Sequence, residues 1–153
     1  MSDQILVLGL GNILMGDEGV GVKSIEFMHD KEVPEGVRLL DGGTGGFHLL
    51  SLFQEYDKFI IIDATIGDGP YGEINILQPK FASDFPRTLT SHDIGLRDLM
   101  QSAELLGDLP EIHLVTINIK DCNSVGIGLK DEMAERLPEV YSTVLKVLER
   151  VLG

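Results

Sequence analysis

Short apolar runs alternate along the chain with segments of helical periodicity. Four runs predict buried strands because they are short, apolar and bounded by turn residues: 4–9, 36–41, 57–63 and 112–119. A fifth strand is predicted at 72–78, where apolar and polar positions alternate as in a strand with one exposed face. Helical spacing predicts helices at about 17–30, after Thr44, at about 93–106 and up to the C-terminus, with Pro138 in the first turn of the last one.

Buried strands that alternate with helices are typical of an α/β protein. We therefore predict a three-layer sandwich, in which a twisted, mostly parallel five-stranded sheet carries helices on both faces. The segment 72–78 is the expected antiparallel edge strand. The chain of 153 residues shows no internal repeat and no linker, so we expect a single domain over 1–153.

Composition and charge narrow the class of protein. No apolar run approaches the roughly 20 residues of a membrane-spanning helix, and one cysteine, Cys122, cannot form an internal disulfide. A cytoplasmic protein without membrane attachment is therefore expected. The net charge of −13, from 12 basic and 25 acidic residues, argues against nucleic-acid binding and favours cationic partners such as metals or basic protein segments.

The first glycine-rich segment, GNILMGDEGVG at 11–21, resembles a nucleotide-binding loop only in its glycines. Leu14 occupies the third glycine position of the dinucleotide pattern, and no lysine and hydroxyl follow at phosphate-loop spacing. The carboxylates of Asp17 and Glu18 would also repel phosphate. We interpret Asp17 as the N-cap of the helix at 17–30, whereas for Glu18 a helix-terminal role and a ligand role both stay open.

Acidic residues also follow the other predicted parallel strands. Asp41 ends the second strand in LLDGGTGG, Asp63 ends the third in IIIDAT, and His92 precedes a helix in LTSHDIGL. Since the carboxyl ends of parallel strands share one edge of a sheet, Glu18, Asp41 and Asp63 are expected to gather on an exposed rim. Crowded carboxylates favour a neutralising cation, and with His92 the set suits zinc, manganese, iron or nickel.

Each of these residues also has a structural interpretation. Asp63 could cap the turn that follows it, Asp41 could support its own glycine turn, and His92 could simply flank a helix N-terminus. His48 is ambiguous, because it follows GGTGG but could point away from the rim. No functional role is assigned to His29, His113 and Cys122.

Four segments together resemble the hydrogenase maturation endopeptidases: LVLGLGNILMGDEGVGV, LLDGGTGGFHLL, IIIDAT and SHDIGL. Their order and spacing match that family over nearly the whole chain. The resemblance implies an enzyme that removes a C-terminal peptide from the large-subunit precursor of a nickel–iron hydrogenase after nickel insertion. It also implies a twisted, mostly parallel sheet between helices.

By motif, the resemblance implies that Glu18, Asp63 and His92 bind the nickel that the precursor delivers, although other divalent metals can occupy such a site. The family segment linked to substrate recognition falls on Asp41, Gly42, Gly43 and Thr44. Asp41 is also the candidate general base if a carboxylate, rather than the metal, activates water. We expect the free protein to be a monomer.

Two departures from the family pattern bear on which hydrogenase precursor the protein would process. Many relatives carry a Gln-Pro-Glu type segment after the last strand, where this chain has NIKDCNSVGIGL, and many carry an acidic residue at the position of His48. The alternative function is a non-catalytic module that checks or carries nickel for the precursor. A nucleotide-binding domain is disfavoured by the sequence of the glycine loop.

Overall fold

A computed structural model describes residues 4–44, 49–67, 69–85, 96–107, 109–120 and 128–153. Its strands are β1 (Ile5–Gly9), β2 (Val37–Asp41), β3 (Lys58–Thr65), β4 (Ile74–Leu77) and β5 (Glu111–Asn118). Its helices are α1 (Val20–Met28), α2 (Leu49–Glu55), α3 (Leu96–Leu105), α4 (Asp131–Ala134) and α5 (Leu137–Leu152). Two short 3₁₀ turns lie at Gly16–Gly19 and Ala82–Asp84.

The five strands form one sheet in the order β2-β1-β3-β5-β4. β1 pairs in parallel with β2 and β3, β3 pairs in parallel with β5, and only β4 runs antiparallel to its neighbour. The predicted mostly parallel five-stranded sheet with one antiparallel edge strand is therefore confirmed. Because β1, β2, β3 and β5 run the same way, their carboxyl ends lie along one edge of the sheet.

The sheet is covered on both faces, which confirms the predicted three-layer sandwich. Alternate residues of β3 point to opposite sides. Ile60 and Ile62 pack with α1, α4 and α5, whereas Phe59 and Ile61 pack with α2, α3 and the turn Ala82–Asp84. The unbroken apolar run of β3 thus reflects a central strand that is buried on both faces.

Two predictions about segment ends are wrong at the edge that carries the acidic residues. β3 continues to Thr65, so Asp63 lies inside the strand rather than at its end, because β5 pairs with it as far as Asn118. α1 begins at Val20 rather than at residue 17, because residues Gly16–Gly19 form a separate 3₁₀ turn. The predicted start of α3 at about 93 lies outside the described residues.

Candidate active site

Glu18 lies in the 3₁₀ turn that connects β1 to α1, beyond the carboxyl end of β1. Its side chain is completely buried, with 0% exposure. Gly11 permits this position, because a Cβ at residue 11 would lie 2.2 Å from the carbonyl oxygen of Glu18. Only a glycine allows the two backbone segments to approach so closely, and this close approach gives Gly11 a role in placing Glu18.

Asp63 lies on β3, next to β1, and is 3% exposed. It follows Phe59 and Ile61 on the face that α2 and α3 cover, and its Oδ1 accepts the backbone N–H of Ala64 at 2.8 Å. The turn Gly16–Gly19 packs against β3, and the N–H of Leu10 donates to the carbonyl oxygen of Ile62 at 2.9 Å. The backbones that carry Glu18 and Asp63 are therefore joined at the same edge.

Burial of these two carboxylates corrects the expectation of an exposed rim. The side chains of Glu18 and Asp63 are covered by protein atoms, whereas Asp41, on the other side of β1, is exposed. Burying a charged carboxylate costs free energy unless other groups or a cation compensate it. The edge thus contains two kinds of acidic residue: Glu18, Asp63 and the neighbouring Asp17 are buried, whereas Asp41 lies at the surface.

Asp41 is the last residue of β2 and lies in register with Gly9, the last residue of β1. Its Oδ1 accepts the N–H of Gly43 at 2.8 Å, which confirms that it supports its own glycine turn. This turn is also joined to the first glycine loop. The N–H of Gly42 donates to Gly9 at 2.8 Å, and the N–H of Gly11 donates to Gly43 at 2.7 Å. The recognition candidates Asp41, Gly42, Gly43 and Thr44 therefore lie beside the loop that carries Glu18.

Asp17 does not cap α1, so the N-cap prediction is wrong. The residue that precedes α1 is Gly19, and the buried carboxylate of Asp17 instead accepts hydrogen bonds from the hydroxyl of Tyr71 and from the N–H of Lys130 at 2.9 Å. Burial, together with the hydrogen bond to Asp17, raises the pKa of Tyr71 above its usual range. Sequence reasoning missed Tyr71 and Lys130, because 54 and 113 residues separate them from Asp17.

The histidines give no complete metal site within the described residues. His92 and His48 lie outside these residues, as does Cys122. Within the described part of the chain, no three His, Cys, Asp or Glu side chains are grouped so that they could hold a metal ion. His113 lies near the opposite edge of the sheet with its Nε2 2.8 Å from Glu111, and His29 is exposed at the end of α1.

The chemistry available at the carboxyl edge is that of carboxylate oxygens. Glu18 and Asp63 can ligate a divalent cation, and a carboxylate can also accept a proton from water. Open α/β sheets bind ligands beyond the carboxyl ends of their strands, which is where these residues lie. Fold and site therefore define an α/β protein with an acidic site at the carboxyl edge of its sheet.

The chain belongs to the hydrogenase maturation protease family, whose model matches residues 22–147. The hydrogenase 2 maturation protease of Escherichia coli is 31% identical over 153 residues, which are 98% of this chain and 89% of that protein. The hydrogenase expression/formation protein HupD of Bradyrhizobium diazoefficiens is 38% identical over 120 residues, or 75% of this chain. The alignment spans only 61% of the length of that HupD protein.

Solved structures of similar proteins share the fold. The hydrogenase maturating endopeptidase HybD from E. coli superposes with a TM-score of 0.84 at 32% identity, over 97% of this chain and 93% of that one. A hydrogenase 2 maturation peptidase from a Thaumarchaeota archaeon gives a TM-score of 0.72 at 28% identity, over 95% of this chain and 97% of that one. The comparisons support a peptidase that acts in hydrogenase maturation. None of the described helices is long and apolar enough to cross a membrane.

Proposed function

We propose that the protein removes the C-terminal extension of a nickel–iron hydrogenase large-subunit precursor, and that it recognises the nickel that this substrate carries. Glu18, Asp63 and His92 complete the coordination of the substrate's nickel and thereby place the scissile bond. Asp41, with the adjacent glycine turn, contacts the precursor chain. The enzyme acts as a monomer in the cytoplasm, an assignment in keeping with its single cysteine.

The observation that carries this proposal is the pair of buried carboxylates at one edge of the sheet. The turn that carries Glu18 packs against β3, the strand of Asp63, and one backbone hydrogen bond joins Leu10 to Ile62 nearby. Carboxylate oxygens are suitable ligands for a divalent cation, and a set with open positions suits a metal that two proteins share. In the sequence, His92 stands four residues before the first residue of α3.

Because the two carboxylates are buried, the precursor must expose them before its nickel can bind. The side chain of Glu18 is 0% exposed, so the nickel of a bound precursor reaches it only after neighbouring atoms move. Docking of the precursor therefore includes a local opening of this edge. Water is excluded from the carboxylates until the substrate binds, which strengthens their attraction for a cation.

The decisive experiment compares cleavage of nickel-loaded and metal-free precursor by the same enzyme preparation. Mass spectrometry follows release of the C-terminal peptide. We expect cleavage of the nickel-loaded precursor only. Equal rates on both substrates would exclude nickel as the recognition element, whereas binding without cleavage of the loaded precursor would favour the nickel-checking module.

Substitutions at the proposed ligands test the residues themselves. Glu18→Gln, Asp63→Asn and His92→Ala should each abolish cleavage. The first two keep size and shape and replace only a buried carboxyl group by an amide, so circular dichroism should show an intact fold. Glu26→Gln and Asp98→Asn, which make the same chemical changes at exposed positions on α1 and α3, should cleave normally. Wild-type cleavage by Glu18→Gln or Asp63→Asn would remove that residue from the site.

A further inference from the structure

The carboxylate of Asp17 joins three distant parts of the chain at the carboxyl edge. It lies in the turn Gly16–Gly19 and is 5% exposed. One oxygen, Oδ2, accepts the hydroxyl of Tyr71, and the other, Oδ1, accepts the N–H of Lys130 at 2.9 Å. Lys130 immediately precedes α4. Asp17 thus attaches the turn that carries Glu18 to two segments outside its own strand and helix.

Both anchors of Asp17 are themselves held in place. Tyr71 lies in the turn between β3 and β4, and this turn is bound to the end of β5: the N–H of Gly72 donates to Asn118 at 2.8 Å and the N–H of Asn118 donates to Glu73 at 2.9 Å. Lys130 is fixed by the first turn of α4, since its carbonyl oxygen accepts the N–H of Met133 at 3.0 Å. The hydrogen bonds to Asp17 therefore connect its turn to residues that backbone hydrogen bonds hold at the end of β5 and at the start of α4.

Glu18, the next residue, depends on this attachment. A 3₁₀ turn has three residues per turn, so the side chains of Asp17 and Glu18 leave the backbone in different directions. The backbone of Gly11 lies so close to Glu18 that a Cβ at residue 11 would be 2.2 Å from the carbonyl oxygen of Glu18. The turn is thus fixed by backbone packing at Gly11 and by side-chain hydrogen bonds at Asp17. Rotation of the turn would move the carboxylate of Glu18.

We propose that Asp17 and Tyr71 are positioning residues, which hold the carboxylate of Glu18 where it meets the substrate's metal. This inference rests on the proposed function, because it assumes that Glu18 is a ligand. Residues that orient a metal ligand commonly affect activity by roughly 10–100-fold when they are replaced. A displacement of about 1 Å at a reacting centre has a comparable effect on rate.

Tyr71→Phe is the main test, because it removes one hydrogen bond and retains the ring. We expect kcat/KM on nickel-loaded precursor to fall by about 10–100-fold. Tyr141→Phe is the matched control. Tyr141 lies on α5, remote from the turn, and its hydroxyl donates to the carbonyl oxygen of Glu32 at 2.6 Å. Both variants lose one phenol hydrogen bond and should show lower urea midpoints, but only Tyr71→Phe should lose activity at a temperature where both are folded.

Asp17 is tested by a pair of variants. Asp17→Asn keeps an acceptor for the N–H of Lys130 and an amide group that can pair with Tyr71, whereas Asp17→Ala keeps neither. Partial recovery of kcat/KM in Asp17→Asn relative to Asp17→Ala would support the positioning role. Equal activity of these two variants, both folded by circular dichroism, would contradict it.

Glu18→Gln in the same assay separates the two proposals. An inactive Glu18→Gln with a wild-type Tyr71→Phe would overturn the positioning role alone. A fully active Glu18→Gln would overturn the proposed function, and with it the premise of this inference. Equal activity losses in Tyr71→Phe and Tyr141→Phe would mean that both substitutions lower activity only by destabilising the fold, and would overturn the positioning role. Loss in Tyr71→Phe alone, with an inactive Glu18→Gln, is the expected result.

Discussion

Asp41 and Glu18 lie at the same edge of the sheet but differ in burial, and this difference suits them to different roles. Asp41 is exposed and uses one carboxylate oxygen to support the turn at Gly43. Glu18 is inside the protein, where water screens electrostatic interactions little. An exposed carboxylate is suited to contact a docking polypeptide, whereas a buried one is suited to a strong interaction with a metal.

Asp41→Asn should impair processing without changing the fold. The asparagine Oδ1 can still accept the N–H of Gly43, so the turn should persist, but the exposed charge is lost. If a charged group of the precursor pairs with Asp41, kcat/KM should fall by roughly 10–100-fold, which corresponds to about 1.5–3 kcal/mol. Asp98→Asn, an exposed substitution on α3, is the control. Unchanged kcat/KM in Asp41→Asn would remove Asp41 from substrate recognition.

The raised pKa of Tyr71 predicts that the free energy of unfolding falls with pH in alkaline solution. Burial and then Asp17 raise its pKa in the folded state above the unfolded value of about 10. Above about pH 10 the folded protein therefore retains a proton that the unfolded chain loses. The contribution of Tyr71 to the free energy of unfolding is complete below about pH 10 and declines as pH rises further. The free energy of unfolding, from urea titrations at about pH 9 and 11, should fall less in Tyr71→Phe than in the wild type. Tyr141→Phe, which keeps the Asp17 contact, should retain the wild-type dependence, and identical slopes in all three proteins would contradict the assignment.

At the scale of elements, the start of α1 is fixed by close contact with two strands. Gly21 lies in the first turn of α1, and a Cβ there would lie 2.2 Å from the carbonyl oxygen of Leu10 and 2.3 Å from that of Ile62. The helix thus touches the residue that follows β1 and an interior residue of β3 directly. This contact sets the position of the preceding turn, which carries Asp17 and Glu18.

Gly21→Ala should destabilise the protein, although alanine favours helices more than glycine does. In an unobstructed helix, replacing glycine by alanine stabilises the protein by roughly 0.5–1 kcal/mol. Here the added methyl group would force backbone atoms apart, which typically costs about 1–3 kcal/mol or more. Urea unfolding measures the net loss. Glu26→Ala, at an exposed position of α1, should leave stability nearly unchanged, and a stabilised Gly21→Ala would show that the contact is looser than described.

At the scale of the whole molecule, the strand order decides which segments meet. β1 and β3 are neighbours at the centre of the sheet, with β2 and β5 on either side. Their loops therefore meet at one edge, where Asp41, Glu18 and Asp63 lie around the end of β1. β4 reverses direction, which brings the Tyr71 turn to the same edge as the end of β5.

Amide hydrogen exchange should reveal this arrangement. β3 lies between two hydrogen-bonded neighbours and is buried on both faces, so its amides should exchange most slowly. β4 has one neighbour and mostly exposed side chains, so its amides should exchange most rapidly of the five strands. Mass spectrometry of peptic fragments gives the order. Faster exchange in β3 than in β4 would contradict the strand order.

Periodicity in the sequence was sufficient to predict the class of fold, the five strands and the four longer helices, but not α4 or the 3₁₀ turns. The apolar run of β3 records its burial on both faces, and burial of this kind leaves a direct pattern in the chain. The candidate residues Glu18, Asp41 and Asp63 could be found for the same reason, since each stands close to the carboxyl end of a predicted strand. His92 stays a prediction from motif.

Only the tertiary structure decided the surroundings of these residues. The sequence placed Asp17 at a helix start, where an acidic residue commonly caps, but the competing partners Tyr71 and Lys130 come from segments that strand order brings near. The burial of Glu18 and Asp63 was likewise not predictable, because the atoms that cover an acidic side chain come from other parts of the chain. Local patterns record which face of an element is apolar, whereas contacts between distant polar groups depend on how the elements are arranged in space.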